Sequence, residues 1–181
     1  MEIEAQLRAF HETGLALSHV DGHLHMHLHP EVLGILLDLK EEFGIPAIRL
    51  PGEELGMTLA LDRSRLVLKT AYFWIFRWLR AMSEGRLKSA GVTFSERVYG
   101  LLQSGRMTEE YLLKLIPQIR ADRVEIYSHP TAETDERRSH SSRGASRLQL
   151  DALLSPRVRQ ALLASGFHLS TYREAAGGMG C

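Results

Sequence analysis

The sequence has almost no cysteine, no long apolar run and no excess of charge of either sign. Its single cysteine, Cys181, is the last residue, which excludes a disulfide framework and a thiolate metal site. The longest apolar run, Ala71 to Phe76, is far shorter than the roughly 18 residues that a membrane span requires. Twenty-two basic side chains balance 22 acidic ones, so no overall field attracts nucleic acid. The first residues carry no basic region followed by an apolar core, and we therefore expect a cytoplasmic protein.

The composition and the order of segments indicate one α/β domain over residues 1–181, with 44% apolar residues. Apolar spacing predicts helices at 1–10, 30–43, 64–87, 108–119 and 155–166, and short strands at 45–51, 124–130 and 167–174. Residues 97–105 are predicted as a strand or a loop, and the polar residues 132–146 as a loop. This alternation predicts parallel strands in a wound sheet or a (β/α) barrel, where functional residues lie at the carboxyl ends of strands.

Five of the nine histidines lie in the stretch "SHVDGHLHMHLHP", from Ser18 to Pro30. Polar residues occupy its odd positions, which would share one face of an extended strand: His19, Asp21, His23, His25, His27 and His29. Neutral imidazole is the commonest side-chain ligand of divalent transition metals, and a nearby carboxylate can ligate the ion or orient the imidazole. The stretch therefore predicts a metal or acid-base site, although one ion cannot take all these side chains from one strand. The alternative is the solvated face of a histidine-rich edge strand.

Two further residues are candidates for a site. His129 ends an apolar segment before a proline, where α/β enzymes present catalytic side chains, and the alternative is a structural hydrogen bonder. Arg49 could clamp a substrate oxygen, and the alternative is a surface ion pair. The remaining histidines are predicted to be structural or solvated: His11, His140 and His168.

The predicted helix 64–87 is amphipathic. Its apolar arc comprises Val67, Leu68, Ala71, Trp74, Ile75, Trp78, Leu79 and Met82. The opposite side carries Arg65, Lys69, Arg77 and Arg80, interleaved with Phe73 and Phe76. One interpretation is a barrel helix that packs its apolar arc on the sheet. The other is an interfacial helix that contacts a membrane surface.

The histidine stretch is followed in order by "AIRLPGE", "RVYGLLQSGRM", "EIYSHP" and "STYRE". Together these motifs resemble the YdjC-like carbohydrate deacetylases over nearly the whole chain. "DGHLHMHLHP" and "GLLQSGRM" more narrowly resemble the branch associated with hopanoid biosynthesis. The resemblance implies a (β/α) barrel-like fold and one divalent metal ion, Mg²⁺ or Zn²⁺, that activates water to hydrolyse the N-acetyl group of an amino sugar. For the hopanoid branch it implies an N-acetylglucosaminyl hopanoid, a glycolipid, as substrate, and a position at the inner face of the cytoplasmic membrane.

The resemblance also implies roles for single residues. It places the family's metal-binding histidine on His23 and the histidine of the family's "HP" strand end on His129. His129 would be the acid that protonates the leaving amine, and with Asp21 it forms our pair of catalytic candidates. The substrate-binding candidates are Arg49, His25 and His27.

Part of the family pattern is not in the sequence. The family has an N-terminal strand that ends in two aspartates, and a second metal-binding histidine in a "G-x-H" strand. The pair of aspartates does not occur here, no residue is assigned as the second metal-binding histidine, and a helical pattern is already running at Met1 without a capping residue. We therefore expect the C-terminal part of a YdjC-like domain, without its first strands and inactive by itself. The alternative is an inactive fragment that acts at most as a metal-binding or membrane-surface module, and the sequence leaves the oligomeric state open.

Overall fold

The computed structural model describes residues 2–131 and 140–177. Residues 132–139 of the predicted polar loop, and Cys181, lie outside these ranges. For residues 140–145 and 176–177 only the backbone is described. The chain forms two compact units. The first contains Met1–Pro51, Ile75–Glu96 and Ser170–Cys181, and the second contains Gly52–Trp74 and Arg97–Leu169. That these residues belong to one domain stays a prediction.

Helices dominate the described residues, and the strands are short. The α-helices are α1 (Glu2–His11), α2 (Pro30–Asp38), α3 (Lys40–Phe43), α4 (Leu55–Leu61), α5 (Leu66–Ser89), α6 (Glu109–Leu115), α7 (His140–Leu154), α8 (Pro156–Ala164) and α9 (Tyr172–Gly177). The strands are β1 (Arg97–Tyr99) and β2 (Val124–Ile126), and two 3₁₀ helices cover His23–Leu28 and Ile116–Gln118. The predicted helix 30–43 is divided at Leu39 into α2 and α3.

The first unit is built around the extended segment 45–51, at the position of a predicted strand. Ile48 forms a parallel bridge with Val20, and Ala47 forms one with Thr93. Apolar residues from this segment, α2, α5 and their neighbours form the core: Leu7, Leu28, Leu33, Leu36, Ile45, Ile48, Leu50, Leu87 and Val92. The segment is thus buried between two neighbours, which places the backbone of Arg49 beside Val20.

The second unit contains the only paired strands in the part of the chain that the structure describes. β1 and β2 are parallel, with Arg97 opposite Val124 and Tyr99 opposite Ile126. Parallel pairing confirms the mixed α/β character predicted from the sequence, while a barrel stays a prediction. The core of the unit is formed by Tyr99, Met107, Tyr111, Leu112, Leu115, Ile116, Ile119, Ala152 and Val158.

The caps of α6 and α8 confirm two predicted helix starts. The Thr108 hydroxyl accepts a hydrogen bond from the N–H of Tyr111 at 3.4 Å. The Ser155 hydroxyl accepts from the N–H groups of Arg157 at 3.1 Å and Val158 at 3.3 Å, with Pro156 in the first turn. The first N–H groups of a helix have no partner within the helix, and a Ser or Thr hydroxyl at the cap accepts from them. Because the capping residue is next to the helix in the chain, the start can be predicted from sequence.

Two predicted segments near the end of the chain are wrong. Residues 140–146 begin helix α7 instead of a loop. Apolar spacing did not predict this helix, because its buried side is small and polar, with Ser146, Gln149 and Ala152 at spacing three. Residues 172–174 begin helix α9 instead of ending a strand. There the Glu174 carboxylate accepts from the N–H of Thr171 at 2.9 Å, and the Glu174 N–H donates to the Thr171 hydroxyl at 3.3 Å. This reciprocal pair is a capping box, which starts a helix.

Helix α5 packs with the side opposite to the one that the apolar arc predicts. Its inward side chains repeat at spacings of four and three residues: Lys69, Phe73, Phe76, Arg80, Ser83 and Leu87. The Lys69 ammonium donates to the Asp62 carbonyl at 2.7 Å, and the Arg80 guanidinium donates to the Leu50 carbonyl at 2.9 Å. Because these polar groups are satisfied, a mixed face can be buried. Of the predicted apolar arc only Leu79 packs against a core, so the expectation that this arc packs on a sheet is wrong.

We expect Gly100→Ala to destabilise the protein by about 2 kcal/mol or more. Gly100 follows β1 with φ at 121°, and an added Cβ would overlap the carbonyl oxygen of Tyr127. Chemical denaturation followed by circular dichroism measures the change. The matched control is Gly56→Ala in α4, where nothing lies within 4 Å of an added Cβ and alanine should stabilise the helix. Equal stability of the two variants would contradict the close approach at Gly100.

Candidate metal centre

The histidine stretch forms a tight turn, so the prediction of an extended strand over residues 19–29 is wrong. Only Val20 makes a bridge, and His23–Leu28 is a 3₁₀ helix in which Leu24 and His25 have φ of 52° and 58°. The Gly22 N–H donates to Nδ1 of His27 at 2.9 Å and holds the turn. Because the chain no longer alternates with period two, the histidines do not share one face. His25 and His27 are buried, whereas His23 and His29 are exposed.

The turn brings Asp21, His25 and His27 together. One ligand atom of each lies within 4.8 Å of the others. Asp21 Oδ1 is 3.9 Å from Nδ1 of His25 and 3.8 Å from Nδ1 of His27. The guanidinium of Arg49 donates to Asp21 Oδ2, and the ring of His25 packs edge to face with Phe76 at 5.4 Å. Four of the residues predicted from sequence therefore form one cluster in the first unit.

His27 is neutral in this cluster, and its tautomer follows from its hydrogen bonds. Burial lowers the pKa of His27, and the nearby Arg49 charge lowers it further, against the raising effects of the Arg49 carbonyl and Asp21. Since Nδ1 accepts from Gly22, the proton lies on Nε2, which donates to the Arg49 carbonyl at 2.7 Å. Neutral imidazole is the form that binds metals, but both nitrogens of this ring are already bonded to the backbone.

The chemistry of the cluster fits a divalent cation. Two imidazoles and a carboxylate are ligands that Zn²⁺ and similar ions accept. Two ligand atoms at about 2.1 Å from one ion lie at most about 4.2 Å apart, and both measured distances from Asp21 Oδ1, 3.9 and 3.8 Å, are shorter. Asp21 and His25 can meet an ion directly, whereas His27 would first have to release the Gly22 N–H. A bound cation would also compete with the Arg49 guanidinium for Asp21.

The other candidate histidines lie outside this cluster. His23, the metal ligand predicted from the resemblance, is exposed on the first residue of the 3₁₀ helix. His19 stacks on Tyr172 with ring centroids 4.3 Å apart, and its Nδ1 is 2.9 Å from the Ser18 hydroxyl. His11 and His168 are exposed, in agreement with a solvated role, and the side chain of His140 lies outside the described residues.

His129 lies in the second unit, three residues beyond the end of β2. Its N–H donates to the side-chain carbonyl of Gln149 at 3.1 Å, and its ring packs edge to face with Tyr127 at 5.7 Å. The residue is exposed at the end of a parallel strand, as the sequence predicts. Its catalytic role stays a prediction.

Glu53 is a buried carboxylate that the sequence pattern does not identify as a site residue. Its Oε1 accepts from three consecutive backbone N–H groups, those of Gly100 at 2.8 Å, Leu101 at 2.5 Å and Leu102 at 3.0 Å. Burial raises the pKa of Glu53 to about 7, although these hydrogen bonds act in the opposite direction. The only signal in the sequence was its place in "AIRLPGE", where a glutamate after Pro-Gly, followed by Glu54, resembles an exposed turn residue.

Fold and cluster together define a mixed α/β protein with a histidine-carboxylate centre. A family model described as "YdjC-like protein" matches residues 1–164. The chain therefore belongs to the YdjC-like family.

Curated relatives share the name "Carbohydrate deacetylase". The protein of Mus musculus is 42% identical over 139 residues, which cover 71% of this chain and 44% of the relative. The protein of Geobacillus stearothermophilus is 26% identical over 175 residues, which cover 96% of this chain and 58% of the relative. The chain thus spans about half the length of these relatives.

A solved structure shares the fold. The crystal structure of a protein from Enterococcus faecalis V583, described as a cellobiose-phosphate cleavage protein, aligns with a TM-score of 0.59 at 18% identity. The alignment covers 95% of this chain and 58% of that chain.

The natural protein should lose stability as the pH rises and Glu53 ionises, and Glu53→Gln should not show this loss. A carboxyl whose pKa is higher in the folded state than in the unfolded state stabilises the fold below the unfolded pKa. This stabilisation is lost as the pH rises from the ordinary value of 4.5 through about 7. We expect the variant to gain up to about 3 kcal/mol over the natural protein at pH 8 and nothing at pH 4. Urea unfolding at several pH values measures the difference.

The matched control for this experiment is Glu12→Gln, at an exposed position after α1. It removes one carboxylate without removing a buried one, so its stability should follow the natural protein at every pH. A constant difference between Glu53→Gln and the natural protein from pH 4 to pH 8 would refute the raised pKa.

Proposed function

We propose that the chain is the histidine-rich part of a metal-dependent carbohydrate deacetylase, which hydrolyses the N-acetyl group of an amino sugar. The observation that carries this proposal is the cluster of Asp21, His25 and His27, whose ligand atoms lie within 4.8 Å of one another. The cluster occurs in a member of the YdjC-like family, in which the curated relatives carry the name carbohydrate deacetylase.

The metal, Mg²⁺ or Zn²⁺, would polarise the acetamide carbonyl and activate water. In this proposal Asp21, which Arg49 keeps oriented, and His25 hold the metal, and the resemblance adds the exposed His23 as a further ligand. Arg49 and His27 are the remaining candidates to line the position of the substrate. The resemblance implies a catalytic role for His129 in the second unit as well, because an exposed imidazole at the end of a strand could protonate a departing amine.

We further propose an N-acetylglucosaminyl hopanoid as the substrate, which would bring the protein to the inner face of the cytoplasmic membrane. The support is the likeness of "DGHLHMHLHP" and "GLLQSGRM" to the hopanoid-associated branch. We also propose that these 181 residues are inactive by themselves, because the two aspartates of the family pattern do not occur among them.

One observation favours a second function, an inactive module that at most binds a metal or a membrane surface. The Arg49 guanidinium already pairs with Asp21 and supplies positive charge where an ion would bind. Because Arg49 already neutralises the Asp21 carboxylate, the cluster needs no metal for electrostatic stability. The inactive module would therefore bind a metal more weakly than the deacetylase.

Asp21→Asn should weaken Zn²⁺ binding by about tenfold or more, because the amide keeps the shape of the side chain but removes its charge. His23→Ala should do the same if the histidine binds the metal as the resemblance implies. Equilibrium dialysis of the metal-free chain against Zn²⁺ measures both. His11→Ala, at an exposed position on α1, is the control and should bind like the natural chain. Unchanged affinity in either test variant would remove that residue from the metal site.

The 181-residue chain should release no acetate from an N-acetylglucosaminyl substrate above the level of a blank reaction. The physical reason is that the carboxylate base of the family pattern does not occur in these residues. An enzyme-coupled acetate assay with added Zn²⁺ or Mg²⁺ measures the release. Turnover that His129→Ala abolishes and His11→Ala retains would show that the chain holds a complete site, contrary to this prediction.

A further inference from the structure

One face of helix α5 is apolar and exposed to solvent along more than four turns. Its side chains follow one stripe at spacings of four and three residues: Val67, Ala71, Trp74, Trp78 and Met82. Val67 is 83% exposed, Trp74 60% and Trp78 57%, and Ile75 and Met82 are exposed beside them. We name this set, Val67, Ala71, Trp74, Ile75, Trp78 and Met82, the tryptophan face. It contains both tryptophans of the chain.

The tryptophan face is not a side of α5 that could turn inward. The opposite side of the helix is held by polar bonds, since Lys69 donates to the Asp62 carbonyl and pairs with its carboxylate at 3.3 Å. Arg80 donates to the Leu50 carbonyl, and Phe76 and Leu79 pack against the first core. Rotating the helix to bury the tryptophans would leave Lys69 and Arg80 without these bonds. The exposure of the tryptophan face therefore follows from the packing of the protein.

Exposed basic residues outnumber acidic ones on and next to α5. The exposed basic residues on and next to α5 are Arg63, Arg65, Arg77, Arg86 and Lys88. The only acidic residue between positions 63 and 89 is Glu84, and its carboxylate is already paired with Arg80 at 3.3 Å and Lys88 at 2.7 Å. A partner that covers this face must therefore offer an apolar surface bordered by negative charge.

We propose that the tryptophan face binds the surface of an anionic phospholipid bilayer, with α5 lying in the interface. Tryptophan prefers the boundary between headgroups and acyl chains, and basic residues around an apolar face attract anionic lipids. The helix has 24 residues, and no helix among residues 2–131 and 140–177 is long and apolar enough to cross a membrane. A second copy of the chain fits less well, because pairing two such faces would bring their basic borders together. This proposal is independent of the deacetylase proposal.

The two tryptophans report directly on this face. We expect the fluorescence of the full chain to shift to shorter wavelength when vesicles of phosphatidylcholine with phosphatidylglycerol are added. A quencher placed in the acyl chains should reduce the intensity of the tryptophan fluorescence, and high salt should reverse the shift in wavelength. Val67→Glu with Met82→Glu should weaken vesicle binding by about tenfold or more, because each change removes apolar contact and adds repulsion. The matched control is Leu169→Glu, at an apolar position that is 80% exposed elsewhere, which should bind as the natural chain does.

Three results would overturn the proposal. The first is unchanged fluorescence in the presence of anionic vesicles. The second is equal loss of binding in Leu169→Glu and in the double variant, which would mean that the tryptophan face is not the contact. The third is a shift that depends on protein concentration without lipid, together with dimers in sedimentation equilibrium, which would assign the face to a second copy of the chain. Because the vesicles contain no sugar, none of these results bears on deacetylation.

Discussion

The candidate metal centre depends on the two backbone bonds of one buried imidazole. His27 accepts from Gly22 at Nδ1 and donates to the Arg49 carbonyl from Nε2, and so joins the histidine turn to the extended segment 45–51. These bonds hold Asp21 and Arg49 close enough to pair and keep His25 on the same side. Burial keeps His27 neutral, because a charged ring at this position would lose its hydration and meet the Arg49 guanidinium. A residue that looks like a metal ligand in the sequence thus acts first as the hydrogen-bonded centre of the turn.

The second unit is organised by a comparable bond of a buried side chain to the backbone. Glu53 gathers the N–H groups of Gly100, Leu101 and Leu102, which follow β1 and have no strand partner. Its carboxylate provides the acceptor that a sheet would otherwise provide, at the cost of desolvating a charge. In both units a polar side chain therefore fixes the loop that follows or precedes a short extended segment, and both loops lie in stretches that carry the resemblance to the family.

Helix α5 shows why apolar pattern and burial differ. The hydrophobic arc of a helix is the buried side only when the polar side chains on the other sides would find no hydrogen-bond partners inside the protein. In α5, Lys69 and Arg80 reach backbone carbonyls and become buried with good hydrogen bonds, while the tryptophans remain outside. The exposed arc is then a surface with its own chemistry, apolar at the centre and basic at the edge.

The sequence by itself determined the local features of this protein. The caps at Thr108 and Ser155 and the place of His129 after an apolar strand are set by residues close together in the chain, so their patterns could be read directly. The alternation of strand and helix segments indicated the mixed α/β character, although the pairing itself joins residues 27 positions apart. The sequence also identified Asp21, His25, His27 and Arg49 as candidates. Only the tertiary structure decided that a turn rather than a strand presents them, that Glu53 is buried and that α5 turns its apolar arc outward. Each of these depends on bonds between distant residues, from His27 to Arg49, from Glu53 to Gly100 and from Arg80 to Leu50, and such bonds leave no periodicity in the sequence.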